Sequence, residues 1–64
     1  MNRIIFTNHR NEDEELAQFL FGADMEAFWN SEHFKKEYQD KNPRMEIWGS
    51  FDTEWRPYEN ENKP

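Results

Sequence analysis

The 64-residue chain contains no cysteine, no valine and no long apolar run. Without cysteine, disulfides and thiolate metal sites are excluded as aids to folding. No apolar segment approaches the ~18 residues that a membrane-spanning helix needs, and no secretory signal pattern is visible. We therefore expect one small cytoplasmic domain. Because so short a chain buries little surface, a second copy or a partner protein is the expected source of additional stability.

Aromatic residues replace the missing aliphatic ones. The sequence holds 6 Phe, 3 Trp and 2 Tyr, which together make up 17% of the chain. Since each ring can bury roughly 150–250 Å², we expect a core built mainly from rings. Trp and Tyr are also enriched at protein interfaces, so we expect one or two exposed rings, with Trp48, Trp55 and Tyr58 as candidates.

Basic residues are absent from residues 11–34, although this stretch is rich in acid. Its seven carboxylates are Glu12, Asp13, Glu14, Glu15, Asp24, Glu26 and Glu32. Over the whole chain, 14 Asp and Glu outnumber 8 Lys and Arg, which gives a net charge of −6. Such a charge disfavours direct binding to nucleic acid or to anionic membranes, because both present phosphate groups.

The order of sequence patterns predicts an α+β domain. Residues 3–7 are apolar and β-branched, which predicts an N-terminal strand at the centre of a sheet. Asn11, with Glu14 three residues later, resembles a capping box and predicts the start of a first helix. Gly22 is the expected C′ residue of that helix, and Asp24 is the expected N-cap of a second.

The second helix has apolar residues on two sides, and its pattern changes at Asn30 and Ser31. Either it breaks there and restarts with Ser31 as N-cap, or a single bent helix continues to about Asp40, which is the interpretation we favour. Residues 45–51 and 53–58 then predict a C-terminal β-hairpin, with its turn at 49–50 or at 52–53. Residues 59–64 are polar and predict a disordered tail outside a domain of residues 1–58.

No pattern in the sequence indicates an enzyme. His9 and His33 lack the spacing of a metal-ligand set. Ser31 and Ser50 lie in no nucleophile turn, and two glycines cannot build a phosphate loop. We therefore predict a non-enzymatic protein without a cofactor or a metal ion.

The acidic stretch is the feature with functional promise. Carboxylates near a helix start stabilise the helix by about 0.3–1 kcal/mol each, which accounts for most of the seven but not for the missing bases. Their density is comparable to that of DNA, which carries one charge per about 1.7 Å of duplex. In size, acidity and aromatic content the chain resembles small phage-encoded DNA-mimic and host-inhibitor proteins, which share no common motif.

This resemblance implies an inhibitor or adaptor that occupies the basic, nucleic-acid-binding surface of a partner protein. The predicted partner-binding residues are Glu12, Asp13, Glu14, Glu15, Asp24, Glu26, Glu32, Trp48 and Trp55. The alternative is an interaction subunit that binds through exposed aromatic residues, with its charge serving only solubility. In either case a homodimer is a further expectation.

Overall fold

The computed structural model describes residues 1–58, which form an α+β fold with two helices on one face of a four-stranded antiparallel sheet. The elements in chain order are β1 (Asn2–Thr7), β2 (Asp13–Phe19), α1 (Gly22–Trp29), α2 (Glu32–Tyr38), β3 (Arg44–Ile47) and β4 (Arg56–Pro57). The strand order in the sheet is β2-β1-β3-β4. The α+β class and the central N-terminal strand are confirmed, whereas the predicted order of strands and helices is wrong. The predicted tail, residues 59–64, lies outside the described residues.

The segment predicted to be the first helix is the edge strand β2. The turn before it explains the error, because Asn8 folds the chain back into a hairpin: its side-chain oxygen accepts the N–H groups of Arg10 (2.9 Å) and Glu12 (3.0 Å). Asn11 adopts a left-handed conformation with φ 64°, which Asn tolerates better than most residues. The predicted capping box is therefore a turn. Glu14 instead accepts a hydrogen bond from the side-chain nitrogen Nδ2 of Asn8 at 3.1 Å.

A β-bulge in β2 imitates the spacing of a helix. Ile4 pairs with Ala17 and Ile5 with Glu15, so Leu16 is an extra residue on β2. One inserted residue reverses the alternation of side chains between the two faces of a sheet. As a result the apolar end of β2 faces the helices, and Leu16 and Phe19 pack against the core.

The helical layer consists of two short helices. Ser31 accepts the N–H of Phe34 at 3.2 Å, so the break with Ser31 as N-cap is confirmed and the favoured bent helix is wrong. α1 begins at Gly22, which was predicted to be a C′ residue. A Cβ at this position would lie 2.9 Å from the Tyr58 hydroxyl; glycine therefore allows this close approach. Asp24 lies inside the first turn of α1 and does not cap it.

The break between the helices resolves the two-sided apolar pattern. Phe34 is 2% exposed and forms the core with Ile4 and Met25, which are both 0% exposed. Its ring centroid lies 5.1 Å from Trp29 of α1 and 5.5 Å from Tyr38 of its own helix. The apolar sides of the two helices thus meet each other around one buried ring, and need no second molecule to cover them.

The C-terminal hairpin is present, but neither predicted turn closes it. β3 and β4 pair only through Glu46 with Pro57 and Ile47 with Arg56, and residues 48–55 connect them. Within this loop, Asp52 accepts the N–H of Gly49 at 2.6 Å. That bond lowers the pKa of Asp52, and Arg56 lowers it further. In the described part of the chain, no helix is long and apolar enough to cross a membrane.

Candidate protein-interaction surfaces

The face of the sheet away from the helices, called here the outer face, contains a network of charged side chains centred on Arg3. The Arg3 Nη2 lies 2.7 Å from Glu46 Oε1 on β3, and its Nη1 lies 3.3 Å from Glu15 Oε1 on β2. Gln18 donates to the same Glu15 oxygen at 3.0 Å. Arg3 therefore links β1, β2 and β3, and it is the basic partner of Glu15, one of the predicted site residues.

Trp55 and Trp48 cover this network. The Arg3 guanidinium carbon lies 4.1 Å from the centre of the Trp55 ring, a distance suited to a cation–π contact. Trp48 packs edge-on against Trp55 with ring centroids 5.5 Å apart. Both rings are half-buried, so the two Trp residues predicted to bind a partner form part of the outer layer of the fold.

Asp13 has a basic partner at the other end of β2. Its Oδ1 lies 2.7 Å from Arg44 Nη2 and accepts a bond from the Thr7 hydroxyl at 3.2 Å. The hydrogen bond from Arg44 lowers the pKa of Asp13, and the charge of Arg44 and the Thr7 bond act in the same direction. The Asp13 side chain is nevertheless 61% exposed, so a partner could still reach it.

Three of the four carboxylates in the acidic run 12–15, all but Glu14, thus lie beside bases from outside residues 11–34. Arg3 comes from the adjacent strand β1 and Arg44 from β3, the next strand beyond it, while Arg10 in the hairpin loop approaches Glu12 at 3.6 Å. All four carboxylates remain exposed. The premise that this run lacks compensating bases is therefore wrong in three dimensions, although the surface it forms is still acidic.

The three helical site residues do not join that surface into one face. Asp24 and Glu32 lie in the first turns of α1 and α2 and are exposed. Glu26 instead accepts the hydroxyl of Tyr58, which follows β4 at the opposite edge of the sheet from β2. The structure therefore divides the predicted acidic face between the β2 edge and the helical layer.

The exposed rings are Phe21 and Phe51, at 63% and 98% exposure. One or two exposed rings were expected, but the candidates Trp48, Trp55 and Tyr58 are all half-buried. Leu20 is 70% exposed and Met1 50%. Since Asn2 pairs with both Phe19 and Ile47, the chain segments that contain these four residues converge at one end of the sheet. The adjacent pair Leu20 and Phe21 offered a signal, because neighbouring residues of an extended segment cannot both face the core.

The two edges of the sheet differ in length and in chemistry. β4 has two residues, one of them Pro57, which has no N–H to donate. β2 has seven residues and no proline, and it pairs only with β1 among residues 1–58. Within residues 1–58, only β2 therefore presents a long free edge.

A metal site is not evident from this geometry. Within residues 1–58, no three His, Cys, Asp or Glu side chains lie close enough together to hold an ion. No protein-family model, curated protein or solved structure matches the chain.

Proposed function

We propose that this protein is a small, non-enzymatic inhibitor or adaptor that binds the basic, nucleic-acid-binding surface of a partner protein. The observation that carries the proposal is the placement of residues 12–15 along and just before the free edge strand β2. An extended chain rises by about 3.3 Å per residue, and one DNA strand carries one charge per about 3.4 Å of helix axis. One carboxylate per residue therefore gives the edge a charge per unit length close to that of a nucleic-acid strand, although successive carboxylates lie on opposite faces of the sheet.

The electrostatics of the whole chain favour the same kind of partner. The net charge of −6 attracts a basic surface from a distance and accelerates the encounter. The ion pairs that Asp13 and Glu15 make within the protein are partly exposed to solvent. Exposed pairs contribute little to stability, so Lys or Arg side chains of a partner can compete for these carboxylates.

A second candidate function is binding through exposed apolar residues, with the charge serving solubility. Phe21 and Phe51 favour it, because both rings are large apolar groups that stay exposed and that a partner would bury. In this second candidate, the partner binds the exposed apolar residues at the end of the sheet that carries Leu20 and Phe21, and Trp48 and Trp55 are structural residues.

The test compares two double variants that change the net charge equally. Glu12→Gln with Glu14→Gln removes two carboxylates next to or on β2 and leaves the ion pairs of Arg3 and Arg44 intact. Glu37→Gln with Glu54→Gln removes two exposed carboxylates elsewhere. A partner would first be captured from cell lysate at low salt, and its affinity for each variant then measured by titration.

We expect Glu12→Gln with Glu14→Gln to weaken binding strongly and to reduce the salt dependence of binding, whereas Glu37→Gln with Glu54→Gln should not. We also expect duplex DNA to displace the wild-type protein from its partner. Equal weakening by both pairs would show that only the net charge matters. If neither pair weakens binding while Phe21→Ser and Phe51→Ser do, the apolar candidate replaces this proposal.

A further inference from the structure

The β2 edge has the features of a strand that accepts another strand. Exposed edges are normally blunted, because their free N–H and C=O groups pair readily with other chains. The opposite edge is blunted in this way by its short length and by Pro57. The bulge and the acidic residues of β2 also discourage pairing, the acidic residues mainly with chains of like charge, but β2 has seven residues and no proline. Both of its ends remain accessible: Glu14 is exposed near one end, and Leu20 is 70% exposed just beyond the other.

Acidic and apolar residues occupy different halves of the β2 edge. Asp13, Glu14 and Glu15 occupy its first half, while Phe19 ends the strand and Leu20 and Phe21 follow it. A ligand strand that matches the edge would place basic side chains beside the first half and apolar side chains beside the second. Main-chain hydrogen bonds would supply affinity, and these side-chain contacts would supply specificity.

We propose that the free edge of β2 binds an extended segment of a basic partner protein by strand addition. This inference rests on the proposed function and specifies how that function's partner is held. A second copy of the chain suits the edge less well. Its own β2 would bring no base to these carboxylates, since the sequence has none between Arg10 and Lys35, and each copy carries a net charge of −6.

The experiment uses the full-length protein, labelled with ¹⁵N, and three short synthetic peptides. The first carries lysines in one half and valines in the other, to match the acidic and apolar halves of the edge. The second has the same sequence with N-methyl groups on two adjacent central residues, which blocks hydrogen bonding on both edges of the peptide strand. The third replaces lysine by glutamate. Affinity is measured by NMR titration, and the hydrogen exchange of β2 amides reports strand pairing.

Strand addition predicts that the lysine peptide binds, that amides of β2 exchange more slowly, and that amides of β4 do not. The N-methylated peptide should bind about tenfold more weakly, because it loses main-chain hydrogen bonds. The variant Glu12→Gln with Glu14→Gln should weaken binding of the lysine peptide, whereas Glu37→Gln with Glu54→Gln should change it less.

Three results would overturn the inference or its premise, and they can be told apart. Equal binding of the N-methylated peptide would overturn strand addition but leave the preference for a basic partner standing. Equal binding of the glutamate peptide would overturn the preference for a basic partner, even with β2 protected from exchange. Binding of none of the three peptides would overturn strand addition outright.

Discussion

Replacing Arg3 by Gln removes the group that joins the outer face of the sheet. The guanidinium lies over Trp55 and bonds to Glu46 and Glu15, and the Arg3 side chain is only 22% exposed. A cation–π contact contributes about 0.5–1 kcal/mol. The ion pair with Glu46, itself 21% exposed, contributes about as much, and leaving that carboxylate half-buried without its base adds a further cost.

These contributions sum to a loss of about 2 kcal/mol. A domain of this size has a total stability of roughly 3–10 kcal/mol, so the loss is a large fraction of it. The melting temperature of a small domain falls by about 4–8 °C per kcal/mol, which predicts a decrease of roughly 8–16 °C. Circular dichroism measures this directly, and tryptophan fluorescence should report the uncovering of Trp55 in the folded variant.

Arg10→Gln is the matched control because it changes the net charge by the same amount. Arg10 is 70% exposed and lies 3.6 Å from Glu12, so its loss should cost no more than about 0.5 kcal/mol. Arg3→Lys keeps the charge but loses the planar fork, and should lie between Arg3→Gln and the wild type. If Arg3→Gln destabilises no more than Arg10→Gln, the Arg3 network does not hold the outer face together.

Other features of the fold give further predictions. Ser31→Ala removes the cap of α2 and should cost about 0.5–2 kcal/mol in urea unfolding, whereas Ser31→Asp should retain most of that stability. Asp13 and Asp52 have pKa values below their ordinary 3.8 when folded. They therefore stabilise the fold above that pH and lose this effect as the pH falls through the lower folded values. Stability should decline below about pH 4, and less steeply in Asp52→Asn; an identical decline would contradict this assignment. Phe34→Ala should cost about 3–5 kcal/mol and unfold much of the protein, while Phe51→Ser, at a ring that is 98% exposed, should leave the melting temperature nearly unchanged. Sedimentation over a wide concentration range tests the expected homodimer, and a monomer throughout would exclude it.

The sequence could not distinguish a strand from a helix in residues 13–19. The apolar residues Leu16, Ala17 and Phe19 fit the period of a helix, and the carboxylates before them fit a helix start. The bulge at Leu16 produces the same spacing in a strand, because the extra residue lets both Leu16 and Phe19 pack against the core. Only the pairing of β2 with β1 reveals the bulge, and that pairing depends on the turn at Asn8.

Local signals succeeded where one residue had one clear role. Residues 3–7 predicted the central strand because their β-branched and aromatic side chains suit a buried strand and little else. Ser31 was recognised as an available N-cap, since its hydroxyl can satisfy a free N–H at a helix start.

The charge of the site illustrates the difference between composition and placement. Sequence alone determined the net charge of −6, the absence of bases from residues 11–34 and the α+β class, because these depend on residue types and local patterns. Tertiary structure decided which bases meet the carboxylates, since Arg3 approaches Glu15, and Arg44 approaches Asp13, only across the sheet. Tertiary structure also decided which aromatic rings are exposed, because burial depends on contacts between segments that are distant in the chain.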